Sequence, residues 1–77
     1  MSRQLIEDCV RSSLEKFLKD LDGESVTGVY DMVMKTVERP VLEVVMKQVG
    51  QNQSQAATIL GINRNTLRKK LADHGLL

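Results

Sequence analysis

The sequence predicts an all-α fold. It has four helices per chain, a homodimer core formed by the first two, and a helix-turn-helix formed by the last two. Three observations carry this. Apolar residues recur at spacings of three and four through most of the 77 residues, which is the period of one helix face. Aromatic content is 3% against 42% apolar, so the core must come from Leu, Val, Ile and Met, which suits a helix bundle. Near the C-terminus, two short helical patterns meet at Gly61, as in a helix-turn-helix.

The first helix is expected over about 3–21. Leu5, Ile6, Cys9, Val10, Leu14, Phe17, Leu18 and Leu21 form its apolar face, and Asp22-Gly23 ends it, with glycine suited to a left-handed cap. The second helix is expected over about 27–49. Val26, Val29, Tyr30, Val33, Val37, Val41, Leu42, Val44, Val45, Met46 and Val49 recur through this segment. Pro40 lies inside, where it removes one N–H and crowds the carbonyl of Thr36, so a kink is expected. Beyond Pro40 the apolar positions wrap most of the circumference, as in a helix buried on more than one side. A domain this small buries only about 60% of its unfolded surface alone, so a second chain is needed to cover that helix. Leu14, Phe17, Leu18, Val33, Val37, Val41 and Val45 are the expected dimer core.

Gly50 ends the second helix, and Asn52 is placed to cap a third over about 53–60, since its side chain can accept from free N–H groups. Ala56, Ala57 and Leu60 face inward there. Gly61 makes the turn, Ile62 plugs the joint, and Asn63 caps a fourth helix over about 64–74, anchored by Leu67 and Leu71 and stopped by Gly75. The chain is thus a single domain, 1–77, with residues 1–50 as dimerisation core and 51–77 as the helix-turn-helix.

The charge is uneven. The first fifty residues carry seven Lys and Arg against nine Asp and Glu, while the last 27 carry four against one. Positive charge therefore gathers on the element that would read DNA. Arg64 stands at the start of the fourth helix, the end that enters a major groove, and its guanidinium can pair with guanine O6 and N7. Asn63 is a candidate for a base edge as well as a cap. Thr66, Arg68, Lys69 and Lys70 suit phosphates, which position without specifying sequence. Asn52 and Ser54, opening the third helix, can present donors to another phosphate, or serve only as caps.

These residues carry a family resemblance. The stretch from Asn52 to Ala57, with Leu60-Gly61-Ile62-Asn63-Arg64-Asn65-Thr66-Leu67-Arg68-Lys69-Lys70-Leu71, closely resembles the Fis family. The likeness extends upstream through Glu38-Arg39-Pro40-Val41-Leu42, Val29-Tyr30-Asp31 and Leu21-Asp22-Gly23. It implies an interlocked all-helical homodimer that binds and bends double-stranded DNA at degenerate palindromic sites as a nucleoid-associated transcription regulator in the bacterial cytoplasm. It also implies that Asn63 and Arg64 meet base edges, and that Asn52, Ser54, Thr66, Arg68, Lys69 and Lys70 meet the DNA backbone. RNA polymerase and recombination complexes are the further partners it suggests. Three departures carry expectations. Gln55 stands where family members often have a basic residue, and Ala72 and Asp73 where they often have a lysine pair, so wrapping of flanking DNA should be weaker. The chain begins almost at its first helix, where enterobacterial members carry mobile β-hairpin arms that activate DNA invertases, so that activation is not expected.

Two other readings compete: a detached helix-turn-helix domain of an NtrC-type activator, and a helical protein-interaction module. Catalysis has no support. His74 has no second His or Cys partner for a metal and suits a surface or capping role, and Cys9 lies on an apolar face without a base. The methionines read as packing. No metal or cofactor is expected. The single cysteine points to a reducing compartment, and no apolar run is long enough for a membrane span.

Overall fold

A computed structural model describes residues 2–77; Met1 lies outside the described residues. Four helices follow one another, with no strand among the described residues: α1 Arg3–Asp20, α2 Val29–Gln48, α3 Gln53–Leu60 and α4 Arg64–Asp73. Each expected helix is present, with boundaries shifted by no more than two residues.

The shifts have local causes. The first helix closes one residue early because Asp22 and Gly23 both turn left-handed, at φ 50° and 84°. The second starts late because Gly28 sits at φ 73° ahead of it and leaves Val26 and Thr27 outside. The helix then runs unbroken through Pro40. At its far end Gly50 is left-handed, and so is Gln51 at φ 69°. The Gln51 N–H reaches back to the Met46 carbonyl at 2.9 Å, closing a Schellman-type turn. The last helix ends on Asp73 with His74 as its cap, and Gly75 beyond.

A small core lies between the end of α2 and the helix-turn-helix. Leu42 and Met46 from α2, Ala56 and Ala57 from α3, and Leu67 and Leu71 from α4 are buried together. Val45, Val49, Leu60, Ile62 and Leu76 pack around them. The two alanines let α3 lie close to both neighbours, so packing runs from α2 to α3 and from α3 to α4. The second half of α2 therefore belongs to this core as well as to the dimerisation segment expected from the sequence.

The first helix has no such support. None of its residues is buried. Its polar face is laced by local pairs, Arg11 with Glu7 and Asp8, and Lys16 with Asp20. Its apolar face flanks an open groove of about 390 Å³ against α2, lined by Val10, Leu14, Phe17, Val33, Val37 and Pro40. Of the expected dimer-core residues, Leu14, Val33, Val37 and Val45 are half-buried, whereas Phe17 is 41%, Leu18 42% and Val41 43% exposed. Cys9, on the expected apolar face, lines the same groove and is exposed, because within one chain the groove stays open. Met46 is core, while Met32 and Met34 are exposed. The radius of gyration is 14.9 Å, above the roughly 11–12 Å of a compact 77-residue domain.

Candidate nucleic-acid interface

The helix-turn-helix is built by its caps. The Asn52 side chain accepts from the Gln55 N–H at 3.1 Å, and the Asn63 side chain accepts from the Asn65 N–H at 2.7 Å. Each cap uses the carbonyl oxygen of the side chain, and neither Nδ2 donates to another group among the described residues, so both amides keep donors for a ligand. Between the helices, Gly61 turns left-handed at φ 72°. Its N–H and that of Ile62 both return to the Ala57 carbonyl, at 2.9 and 3.1 Å. No side chain crowds Gly61; its requirement is conformational. Ile62, half-buried beyond it, packs against the core and fixes the angle between α3 and α4.

This turn brings the two N-termini together. Asn52, Gln53, Ser54, Arg64, Asn65 and Arg68 line one polar cleft of about 310 Å³. The Arg64 Nη1 donates to Ser54 Oγ at 3.2 Å, so a hydroxyl from α3 steadies the guanidinium at the tip of α4. Neither helix has an acidic residue in its first turn. Free N–H groups and the helix dipoles add to the positive side chains there, and the cleft is chemically suited to anionic oxygens.

The expected site residues divide into three groups. Asn52, Ser54, Arg64 and Arg68 meet in the cleft. Asn63, Thr66 and Lys69 are exposed outside it, Asn63 at the head of α4 and the others along it. Lys70 stands apart. It is half-buried, with its ammonium 2.8 Å from Glu38 Oε2 on α2. The expected phosphate contact competes with that pairing.

His74 differs from a plain surface residue. It caps α4, and its Nε2 lies 2.9 Å from Glu38 Oε1. The neighbouring Arg39 donates from Nη1 to the His74 carbonyl at 2.6 Å. Hydrogen bonds from Lys70, then His74, hold the Glu38 carboxyl below its usual 4.5, against the opposing pull of partial burial. Sequence reasoning missed this cluster and the Ser54–Arg64 bond. Glu38 is 32 and 36 residues from its partners, and no periodicity signals such a contact. Among the described residues, no group of three or more His, Cys, Asp or Glu could hold a metal ion, and no helix is long and apolar enough to cross a membrane.

Comparison with known proteins places this architecture. Residues 33–74 match the family model of bacterial regulatory proteins of the Fis family. The chain is 61% identical, over all 77 residues and the whole of the relative, to a Fis-like DNA-binding protein of Ralstonia nicotianae. It is 58% identical over 72 residues to one from Neisseria meningitidis serogroup A, covering 94% of this chain and 91% of that one. To the DNA-binding protein Fis of Vibrio cholerae it is 42% identical over 76 residues, covering 99% of this chain and 78% of the relative. The family match spans most of α2, the cleft and the Glu38 cluster, and the relatives extend it through α1: the chain belongs to the Fis family of bacterial regulatory proteins.

Proposed function

We propose that this chain acts as a homodimeric DNA-binding and DNA-bending protein, a nucleoid-associated transcription regulator that reads degenerate palindromic sites. The observation that carries the reading is the cleft where α3 and α4 begin. It combines a braced arginine, a second arginine, the amides of Asn52, Gln53 and Asn65 and two helix N-termini, with no acidic residue lining it. In this reading Arg64 and Asn63 meet base edges. Asn52, Ser54, Thr66, Arg68 and Lys69 hold the backbone, and Lys70 divides its charge between Glu38 and a phosphate. The relatives' names as DNA-binding proteins support it.

The dimer half of the reading rests on α1 and the first half of α2. A monomer leaves Phe17 and Leu18 of α1 and Met32 and Met34 of α2 open, with Phe17 and Met32 on the same apolar groove, a surface of the kind that marks an interface. A second copy presents the same face and closes it with two-fold symmetry. Pairing in turn gives two recognition helices. If the paired core sets them closer than the roughly 34 Å between successive major-groove faces, the duplex must bend to reach both.

One preparation tests all of this. Sedimentation equilibrium at micromolar concentration should return twice the chain mass of 8.6 kDa. Gel shifts should saturate on duplex DNA, and circular permutation of the site should reveal a bend. With Lys70 partly committed to Glu38, two to three cations per protomer neutralise phosphates, so the log–log salt slope should be about −4 to −5. A slope near zero would instead favour a protein-interaction module.

A further inference from the structure

We propose that Glu38 is a positioning residue for DNA recognition: held at both oxygens by α4, it sets the angle of that helix on α2 and hence the separation of the two recognition helices. The inference rests on the dimeric DNA-binding reading above.

The geometry is that of a two-point tie. The main packing runs from α2 to α3 and from α3 to α4, and α2 meets α4 through side chains. The direct polar links between those two helices leave from adjacent residues. Glu38 Oε2 meets Lys70 Nζ at 2.8 Å, Glu38 Oε1 meets His74 Nε2 at 2.9 Å, and Arg39 Nη1 meets the His74 carbonyl at 2.6 Å. Lys70 and His74 are one helical turn apart, so the carboxylate grips α4 at two heights. A single contact leaves a helix free to swivel, but two contacts one turn apart do not. The shared apolar core of Leu42, Met46, Leu67 and Leu71 holds the helices together but is not directional. Lys35 and Asp73 also line the cleft beside Glu38. They are the other charged groups facing it.

The lever is long enough to matter. From the tie to Arg64 is six to ten residues, roughly 9–15 Å at the helical rise. A rock of about 10° moves the tip by roughly 2 Å, and two protomers double it. A hydrogen bond to a base edge tolerates only a few tenths of an ångström. Loosening the tie should therefore relax the demanded half-site spacing rather than abolish phosphate binding.

The experiment compares wild type with Glu38→Ala and Glu38→Gln, the latter keeping the shape of the side chain, with its amide oxygen accepting from Lys70 and its NH2 donating to Nε2 of neutral His74. Binding is measured well below each variant's melting midpoint, on sites whose half-sites are moved apart or together by one base pair. Wild type and Glu38→Gln should lose roughly tenfold on a shifted site, the scale of one mismatched position. Glu38→Ala should lose less than about threefold on the same scale, and its bend should change at saturation. In the free protein, residual dipolar couplings of α2 and α4 amides should fit one alignment in wild type and Glu38→Gln, while those of α4 scale down in Glu38→Ala. Should Glu38→Ala fail to fold, His74→Phe removes one of the two grips and should give the same changes in smaller degree. An unchanged spacing profile and unchanged couplings would overturn the proposal, as would a uniform loss on all spacings, which a purely stabilising residue produces. Wild type that fails to bind DNA would sink the functional reading, and with it any role in spacing, whatever the couplings show.

Discussion

The two halves of this chain solve the same problem differently. The end of α2 with α3 and α4 closes its own core: Leu42, Leu67 and Leu71 are each no more than 2% exposed. The first helix and the start of α2 carry as many apolar side chains and bury none of them. The difference lies in connection length and residue size. Tight turns at Gly50-Gln51 and Gly61 fold three short segments back on one another, and Ala56 and Ala57 let them touch. Residues 21–28 instead form a longer connection, and larger side chains such as Leu14, Phe17, Met32 and Val33 hold the walls of the α1–α2 groove apart. An apolar face left open after the chain has folded is a statement about assembly: in our reading, one half reads DNA and the other counts copies.

The largest effect should come from attacking the open half. Val37 lines the groove and is only half-buried in one chain. If the groove is closed by a second copy, Val37→Asp buries an unpaired charge in each protomer, at about 3–5 kcal/mol apiece. Sedimentation should then give a monomer, with unfolding at much lower denaturant. A dimer that survives would break the contrast between the halves.

The closed half should respond next. Leu67→Ala empties a fully buried site and should cost about 2–5 kcal/mol by denaturant titration. Ile59 sits on the outer side of the same half and is exposed; Ile59→Ala should stay within about 0.5 kcal/mol. Equal costs at the two sites would show that the core has been wrongly located.

Below these in size comes the reading surface. Arg64→Ala should weaken specific binding by about 1–3 kcal/mol and relax the preference for guanine in each half-site. Lys69→Ala should weaken all sequences alike and flatten the salt slope by about two per dimer. Selection from a random-site library separates the two, and an unaltered preference in Arg64→Ala would move base reading to another residue.

The sequence made the elements legible but not their long-range ties. Helical periodicity, Gly50, Gly61 and the two capping asparagines place four helices because each signal is local. The cluster of Asn52, Ser54, Arg64 and Arg68 was also foreseeable, since a helix-turn-helix brings its two N-termini together. Lys70 shows the limit. On a helical wheel it looks like one more solvated cation in a basic run; only the fold reveals Glu38 waiting 32 residues upstream. His74 hid for the same reason. Cys9 shows a different limit: periodicity places it on the apolar face of α1, but a face is buried only when something covers it, and one chain leaves it exposed.

The smallest predicted effect lies at the join between the halves. Glu38 stands midway along α2, and its carboxyl is held below 4.5 chiefly by the Lys70 hydrogen bond, then by that of His74. Between that lowered value and 4.5 the unfolded chain binds more protons at this site than the folded one, so stability rises with pH there. The contribution is fully present above about 4.5 and is lost as acid protonates the folded carboxylate. About a third of the side chain remains open to water, so solvent screening keeps the effect small. Comparing wild type with Glu38→Gln isolates it, because the other acids titrate alike in both. The gap between their urea midpoints should favour wild type near neutrality and narrow as pH drops below about 4.5. A gap that stays constant across that range would mean the charge on Glu38 does not bind the halves together, and that shape and hydrogen bonding alone join α4 to α2.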